Sequence, residues 1–258
     1  MSIEIRKIMD ETLFRNVGED GFVKAPDYAK VEGLEKMLDI MSDVGPHNSY
    51  ITDYYMKRIH CISEGATRLS GYTKEDIKKY GQEIYDIILP KEDVPILRKQ
   101  ADASMMLINS LSSEEREHCS LFYDFVLIRK DGRRICVTRR LRPFLFTDDG
   151  KMWLSLAFLN YSPNNKVSKV TLNLKGHEKR MVYDRDRNVW EDLPPIVLSE
   201  NERDAAIELY RGSMDKQIAN MLFVSKDTVS YYKKQLMIKT NCSTIRGALD
   251  YLYYNCII

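Results

Sequence analysis

Apolar and polar positions change their rhythm along the chain and divide it into four stretches. In residues 1–50 the rhythm is helical. Val31, Leu34, Leu38 and Met41 recur at helical spacing in DYAKVEGLEKMLDIMSDVG, with charges between them, and Gly45-Pro46 stops the run. Such a stripe fits a helix packed on a neighbouring domain, or a dimerisation helix. From 51 to 162 short helices give way to strands, which come last. FYDFVLI and ICVTRRLRPFLF form a hairpin, because Asp131-Gly132 supplies a positive-φ turn between two β-rich runs. TDDG at 147–150 repeats the device, and KMWLSLAFLNY follows as a third strand. Antiparallel strands after a helical stretch predict an α+β domain.

Residues 163–195 open on SPNNK. Val170, Leu172 and Leu174 then alternate, and Lys175-Gly176-His177 can turn the chain back, so a linker holding a small β-hairpin is expected. The paired prolines of LPPIVLS favour an extended connector. Residues 196–258 read as nearly all helix, with four start signals. Ser199-x-x-Glu202 fits a capping box, and Asp215, Ser225 and Ser243 each precede an apolar-periodic segment as N-caps. Gly212 and Asn241 sit where helices should end, and both tolerate a left-handed conformation. A short helix carries Ile218, Ala219 and Leu222 on one face. Phe223 and Val224 make a tight turn, and a longer helix places Val229, Tyr232 and Leu236 at helical spacing. This is a helix-turn-helix layout, with Ala219 small enough to let the two helices cross closely.

Composition narrows the function. At 258 residues the chain can form one large domain or two ordinary ones, and its 44% hydrophobic content supports a packed core. The net charge is +1, so a surface for a polyanion must come from local clustering. Residues 211–246 supply one: seven Lys and Arg (211, 216, 226, 233, 234, 239 and 246) stand against Asp215 and Asp227. Phosphates need such a patch, because releasing their counterions drives sequence-independent affinity. The five cysteines (Cys61, Cys119, Cys136, Cys242 and Cys256) are scattered with no Cys-x-x-Cys pair, which argues against zinc ligation and a disulfide framework. The start lacks the apolar core of a signal peptide, and no apolar run approaches the ~18 residues needed to span a bilayer. A cytoplasmic protein with no membrane association follows. There is no phosphate loop, His-Glu-x-x-His or Gly-x-Ser-x-Gly, so no enzyme class is indicated.

The C-terminal stretch LSENERDAAIELYRGSMDKQIANMLFVSKDTVSYYKKQLMIKTNC resembles the DNA-binding domain of the LuxR/GerE family, over about a quarter of the chain. Leu198, Ser199, Glu202, Arg203, Gly212, Lys216, Ile218, Ala219, Leu222, Val224, Ser225, Thr228, Val229, Lys239 and Asn241 match in one gapless register, and Ala248 and Leu249 continue it. The resemblance implies that the longer helix lies in the major groove, with Ser230, Tyr231 and Lys234 towards base edges. It implies that Lys216, Ser225, Thr228 and Lys239 contact phosphates, with Lys226 in the same basic patch. It also implies that the last helix pairs two copies through Ala248, Leu249 and Leu252, with packing inside the domain as the alternative. The chain departs from the family at Ser230, where a basic residue is usual, and at Tyr232, where a histidine is usual. Thr240 stands for a frequent leucine and Ile245 for an arginine. Tyr232 reads as a core aromatic.

GATRLSGYTKEDI (65–77), DIILPKEDV (86–94) and FVLIRKDGRRICVTRRLRPF together resemble a PAS domain. Gly71-Tyr72, Glu75-Asp76, Pro90-x-x-Asp93 and Lys130-Asp131-Gly132 fall in the PAS order, WLSLAFLNYS serves as the last strand, and Ser63 replaces a frequent asparagine. The resemblance implies a module that binds a small molecule or cofactor, or that pairs with another protein. No cofactor is predicted and the PAS ligand stays open: no cysteine has the Asn-Cys-Arg setting of a flavin photoreceptor, and His60 and His118 read as structural. RKDGRRICVTRRLR holds seven basic residues and one acid, and reads first as a solvated face or a protected sheet edge. It could instead hold an acidic ligand, contact DNA or grip an acidic partner. The fold expected is α+β: a PAS-like antiparallel sheet domain followed by an all-α four-helix helix-turn-helix domain. The function expected is a sequence-specific DNA-binding transcription regulator, with double-stranded DNA as partner, a homodimeric state, and an effector or protein partner at the PAS-like domain. The alternative is an adaptor controlled by a protein partner, with weak DNA binding, to which the missing basic residue at Ser230 points.

Overall fold

The computed structural model describes residues 25–45, 47–162, 164, 166–174, 179–255 and 257–258. The chain forms two compact units. One runs to Tyr161 and resumes over Asn165–Asp192; the other takes Ser162–Asn164 and Leu193–Ile258.

The first unit is an α+β domain built on one sheet. Its strands are β1 (Asn48–Asp53), β2 (Arg58–Ile62), β3 (Cys119–Ile128), β4 (Arg134–Phe146), β5 (Met152–Tyr161), β6 (Thr171–Leu174), β7 (Arg180–Asp184) and β8 (Val189–Leu193). They form one sheet in the order β2-β1-β5-β4-β3-β6-β7-β8. Both expected turns are present. Gly132 (φ 82°) donates to Arg129 O at 2.8 Å, and Gly150 (φ 79°) donates to Thr147 O at 2.8 Å. The β3–β4 register runs from Leu121 opposite Leu141 to Ile128 opposite Arg134.

Two expectations are corrected. Strands do not only come last, because β1 and β2 precede the helices and β1 pairs with both β2 and β5. β1 escapes a pattern search because both of its faces are covered: Tyr50 enters the main core and Ile51 a second core, so no apolar–polar alternation marks it. The stretch after 163 is not merely a linker. β6 pairs with β3, placing Leu174 opposite Cys119, and β7 pairs with β6. Val170, Leu172 and Leu174 are buried in the main core. The turn expected at Lys175-Gly176-His177 lies outside the described residues, as do Pro46, Cys256 and everything before residue 25.

The N-terminal stripe packs on this sheet. Val31 lies in a short 3-10 turn, Tyr28–Val31, and Leu38 in α1 (Leu34–Val44). They bury against Ile51, Cys61, Trp153 and Leu154, and Leu34 and Met41 pack alongside. Between β2 and β3 come α2 (Glu64–Ser70), α3 (Lys74–Tyr80), α4 (Ile84–Ile88), α5 (Val94–Ser110) and α6 (Ser113–His118). Their buried residues, such as Leu69, Ile84, Leu97 and Ile108, close the main core over Phe125, Val137 and Leu159.

The second unit has four helices: α7 (Glu200–Arg211), α8 (Asp215–Met221), α9 (Lys226–Thr240) and α10 (Ile245–Tyr254). The capping box at Ser199 and Glu202 is formed, with Ser199 N donating to Glu202 Oε2 at 2.8 Å. Gly212 (φ 90°) and Asn241 (φ 58°) end their helices in the left-handed conformation, as expected. Two N-caps shift by one residue. Met214 precedes α8, its N–H satisfied by Gln217 Oε1 at 2.7 Å, so Asp215 is the first helical residue. Thr244, not Ser243, caps α10, accepting from Gly247 N at 3.0 Å. No helix among the described residues is long and apolar enough to cross a membrane.

Candidate nucleic-acid interface

Three side chains fix which side of α9 faces outwards. Val229 and Tyr232 are buried with Ala205, Ile218 and Ala219, and Leu236 is buried with Ala206 and Leu249. A helix held on one side by positions 229, 232 and 236 must present 226, 227, 230, 231 and 234 on the other. Those five side chains are exposed. Tyr231 is 56% exposed while its neighbour Tyr232 is buried, so the adjacent tyrosines have separate environments.

The entry to this helix is tightly built. Val224 N donates to Ala219 O at 2.9 Å and closes the turn after α8. Phe223, at φ 55°, occupies the positive-φ corner and is 96% exposed, a solvent-facing aromatic whose apolar character alone gave no sign of it. Ser225 Oγ accepts from Thr228 N at 3.0 Å and lies 2.9 Å from Thr228 Oγ1. The exposed start of α9 therefore offers unpaired backbone N–H groups and the positive end of a helix dipole beside Ser225 and Lys226, a setting that favours an anion.

The basic cluster divides into free and engaged groups. Lys216, Lys226 and Lys234 are exposed and make no ion pair among the described residues. The other four are engaged: Lys233 with Asp215, Arg211 with Glu208, Arg246 with Asp250, and Lys239 with Glu202. Lys239 is the notable case. Its ammonium donates to both oxygens of Glu202, at 2.8 and 2.6 Å, and to Val197 O at 2.9 Å. All three of its donors are thus directed inside the domain, and a phosphate role would require breaking this set. Burial pushes the Glu202 carboxyl up, but the bonds from Lys239 and Ser199 outweigh it and hold the group below the usual glutamate range.

The last helix packs inside its own unit. Ala248, Leu249 and Leu252 are buried against Ala206 and Leu236, with Ile196 and Leu198 packed alongside. These three side chains close the hydrophobic core of their own unit. They do not form a free face for a second copy.

The basic strand pair in the first unit is no continuous cationic surface. Arg129 donates to Leu69 O, Lys130 pairs with Asp76 at 2.6 Å, Arg133 with Asp131 at 2.7 Å, and Arg134 with Glu92 at 2.5 Å. Arg139 is buried, at 8% exposure, which corrects the solvated reading for that residue. Its position was legible: Val137, Arg139 and Leu141 alternate, and in a strand they share one face.

Residues 196–252 match the family model described as bacterial regulatory proteins, luxR family. The second unit therefore carries a LuxR-family helix-turn-helix domain. A Pseudomonas aeruginosa protein provisionally named a transcriptional regulator is 39% identical over 54 residues, 21% of this chain and 26% of that protein. The chain thus spans about a quarter of that relative's length. Among solved structures, the chain is similar to the PAS domain of a Colwellia psychrerythraea protein, with 16% identity over 53% of this chain and 98% of that one, at a TM-score of 0.38. It is also similar to a phage VqmA–DPO complex (14% identity, 88% and 90% covered, TM-score 0.34). A Vibrio cholerae VqmA dimer without its target DNA is a third (13% identity, 89% and 88% covered, TM-score 0.33).

Proposed function

We propose that this protein is a sequence-specific DNA-binding transcription regulator that acts as a homodimer in the cytoplasm, with its PAS-like unit as the sensing or pairing module. The observation that carries the reading is the outward side of α9. Ser230, Tyr231 and the exposed Lys234 lie together there, beside the exposed Lys226 and within one domain with the exposed Lys216. In this reading α9 enters the major groove. Lys234 donates to guanine O6 or N7, Ser230 meets a base edge, and the Tyr231 ring packs on a thymine methyl. Lys216, Ser225, Lys226 and Thr228 hold phosphates and set the register. Lys239 keeps α9 on α7 through Glu202 and serves the interface by positioning the helix. Two copies are proposed because one small module buries limited DNA surface and two-fold proteins read paired half-sites.

Gel-shift titration of the full chain against genomic fragments tests this. At least one fragment should bind well ahead of bulk competitor DNA, with affinity falling steeply as salt rises. If every fragment competes no better than bulk DNA, sequence-specific regulation is refuted, and the adaptor reading takes its place.

A further inference from the structure

The main core of the first unit contains a charge that no described residue balances with an ion pair. Arg139 is 8% exposed and makes no ion pair among the described residues. One of its guanidinium nitrogens donates to Tyr123 Oη at 2.6 Å, and the group lies over the rings of Tyr50 and Tyr123, 5.4 and 5.7 Å from their centres. Burial pushes the phenols of Tyr50, Tyr54 and Tyr85 up, that of Tyr85 to about 12, so these neighbours are neutral at physiological pH and supply only ring faces and hydroxyls. Arg139 Nε has no protein partner.

A second orphan faces the same space. Gln100 on α5 is 1% exposed, and both its amide oxygen and its amide nitrogen lack a partner. Arg139 and Gln100 line one cavity of about 50 Å³, and a second of about 50 Å³ shares Arg139, Tyr85 and Tyr123 with it. The remaining wall is largely apolar and includes Ile108, Leu121, Leu141 and Met152. Asp102 also lines the first cavity and has partners of its own, while Arg139 is in no ion pair among the described residues. A buried cation without a counter-charge and an unsatisfied amide are each costly, and their convergence on one cavity calls for a ligand that satisfies both.

We infer that this cavity binds a small monocarboxylate with an apolar body, its carboxylate oxygens accepting from the Arg139 guanidinium and its hydrocarbon facing the aliphatic wall. The inference rests on the reading of the PAS-like unit as a sensor and gives that sensor its ligand class. Guanidinium and carboxylate form charge-assisted bonds that are short and directional. Gln100 adds preference for a second oxygen near the carboxylate, as in a 2-oxo acid.

The test is thermal unfolding of the full chain, without DNA, in the presence of isovalerate, 4-methyl-2-oxopentanoate, benzoate or the neutral isovaleramide. At least one of the carboxylates should raise the Tm of the first unit by about 2–4 °C, with no response to the amide. Arg139→Gln should abolish the response. It should also leave the ligand-free protein at least as stable as the parent, because it removes an uncompensated buried charge. Gln100→Leu should weaken the response while keeping the preference for carboxylate over amide, and this variant decides the matter if Arg139→Gln does not fold. An equal shift with isovaleramide, a response retained in Arg139→Gln, or no shift with any carboxylate would each overturn the inference. Failure of the gel-shift experiment would leave these results untouched, so the two readings fail separately.

Discussion

Lys216, Lys234 and Lys239 carry the same charge within 24 positions of one another, yet their surroundings differ, and so do the effects expected of replacing them. Lys234 projects from the outward side of α9 beside Ser230 and Tyr231, whereas Lys216 stands on the first turn of α8. Lys234→Ala should therefore relax sequence preference, with a cost of about 1–3 kcal/mol on the best site and little on others. Lys216→Ala should weaken binding by a similar factor on every sequence and reduce the salt slope by about one. Competition gel shifts across a set of sites separate the two. Lys239→Met should act differently again, through stability. It leaves Glu202 buried without its cation and should destabilise the C-terminal unit by about 1–3 kcal/mol at neutral pH. The Glu202 carboxyl is held below the usual glutamate range, so its contribution is complete above that range and disappears as the pH falls through its folded value. The gap between Lys239→Met and the parent should consequently close in acid, well below pH ~4.3, when urea midpoints are compared across pH. A gap that persists unchanged in acid would mean that Lys239 acts through packing alone.

At the scale of elements, α10 separates two roles that share one sequence pattern. Ala248, Leu249 and Leu252 recur as an apolar stripe, and a stripe records only that a face is buried, not what covers it. Here the cover is α7 and α9 of the same unit. Leu252→Ala should thus cost about 2–5 kcal/mol of unfolding free energy. The loss should be the same at every protein concentration, as read by urea denaturation over a wide dilution series. A residue that paired two copies would instead shift a monomer–dimer equilibrium. The N-terminal stripe follows the same logic with another outcome: Val31 and Leu38 bury on the sheet of the first unit. The strands show the limit more sharply. Gly132 and Gly150 announce the β3–β4 and β4–β5 turns, because few residues other than glycine adopt positive φ cheaply. No comparable signal announces that β6 joins β3 across about fifty residues of chain, because that pairing is set by contacts far apart in sequence.

For the whole molecule, two compact units with separate hydrophobic cores should unfold as two events. Calorimetry with and without a bound genomic fragment checks this. The fragment should raise the transition of the C-terminal unit and leave the other where it is, because only the state that binds is stabilised. A single transition that moves as one block would show that the units fold cooperatively. What the sequence determined by itself is the local chemistry with few competing outcomes. That includes the capping box at Ser199 and Glu202, the cap at Ser225, the left-handed stops at Gly212 and Asn241, and the buried Val229, Tyr232 and Leu236 that turn Ser230, Tyr231 and Lys234 outwards. Each of these depends on neighbours within a helical turn or two. Tertiary structure alone decided which partner each group found: Glu202 for Lys239, the core of its own unit for Leu252, and, for Arg139, tyrosine rings and hydroxyls with no ion pair among the described residues. A charge or an apolar stripe states a need for a partner. The partner itself is set by chain segments that fold alongside it from far away in the sequence.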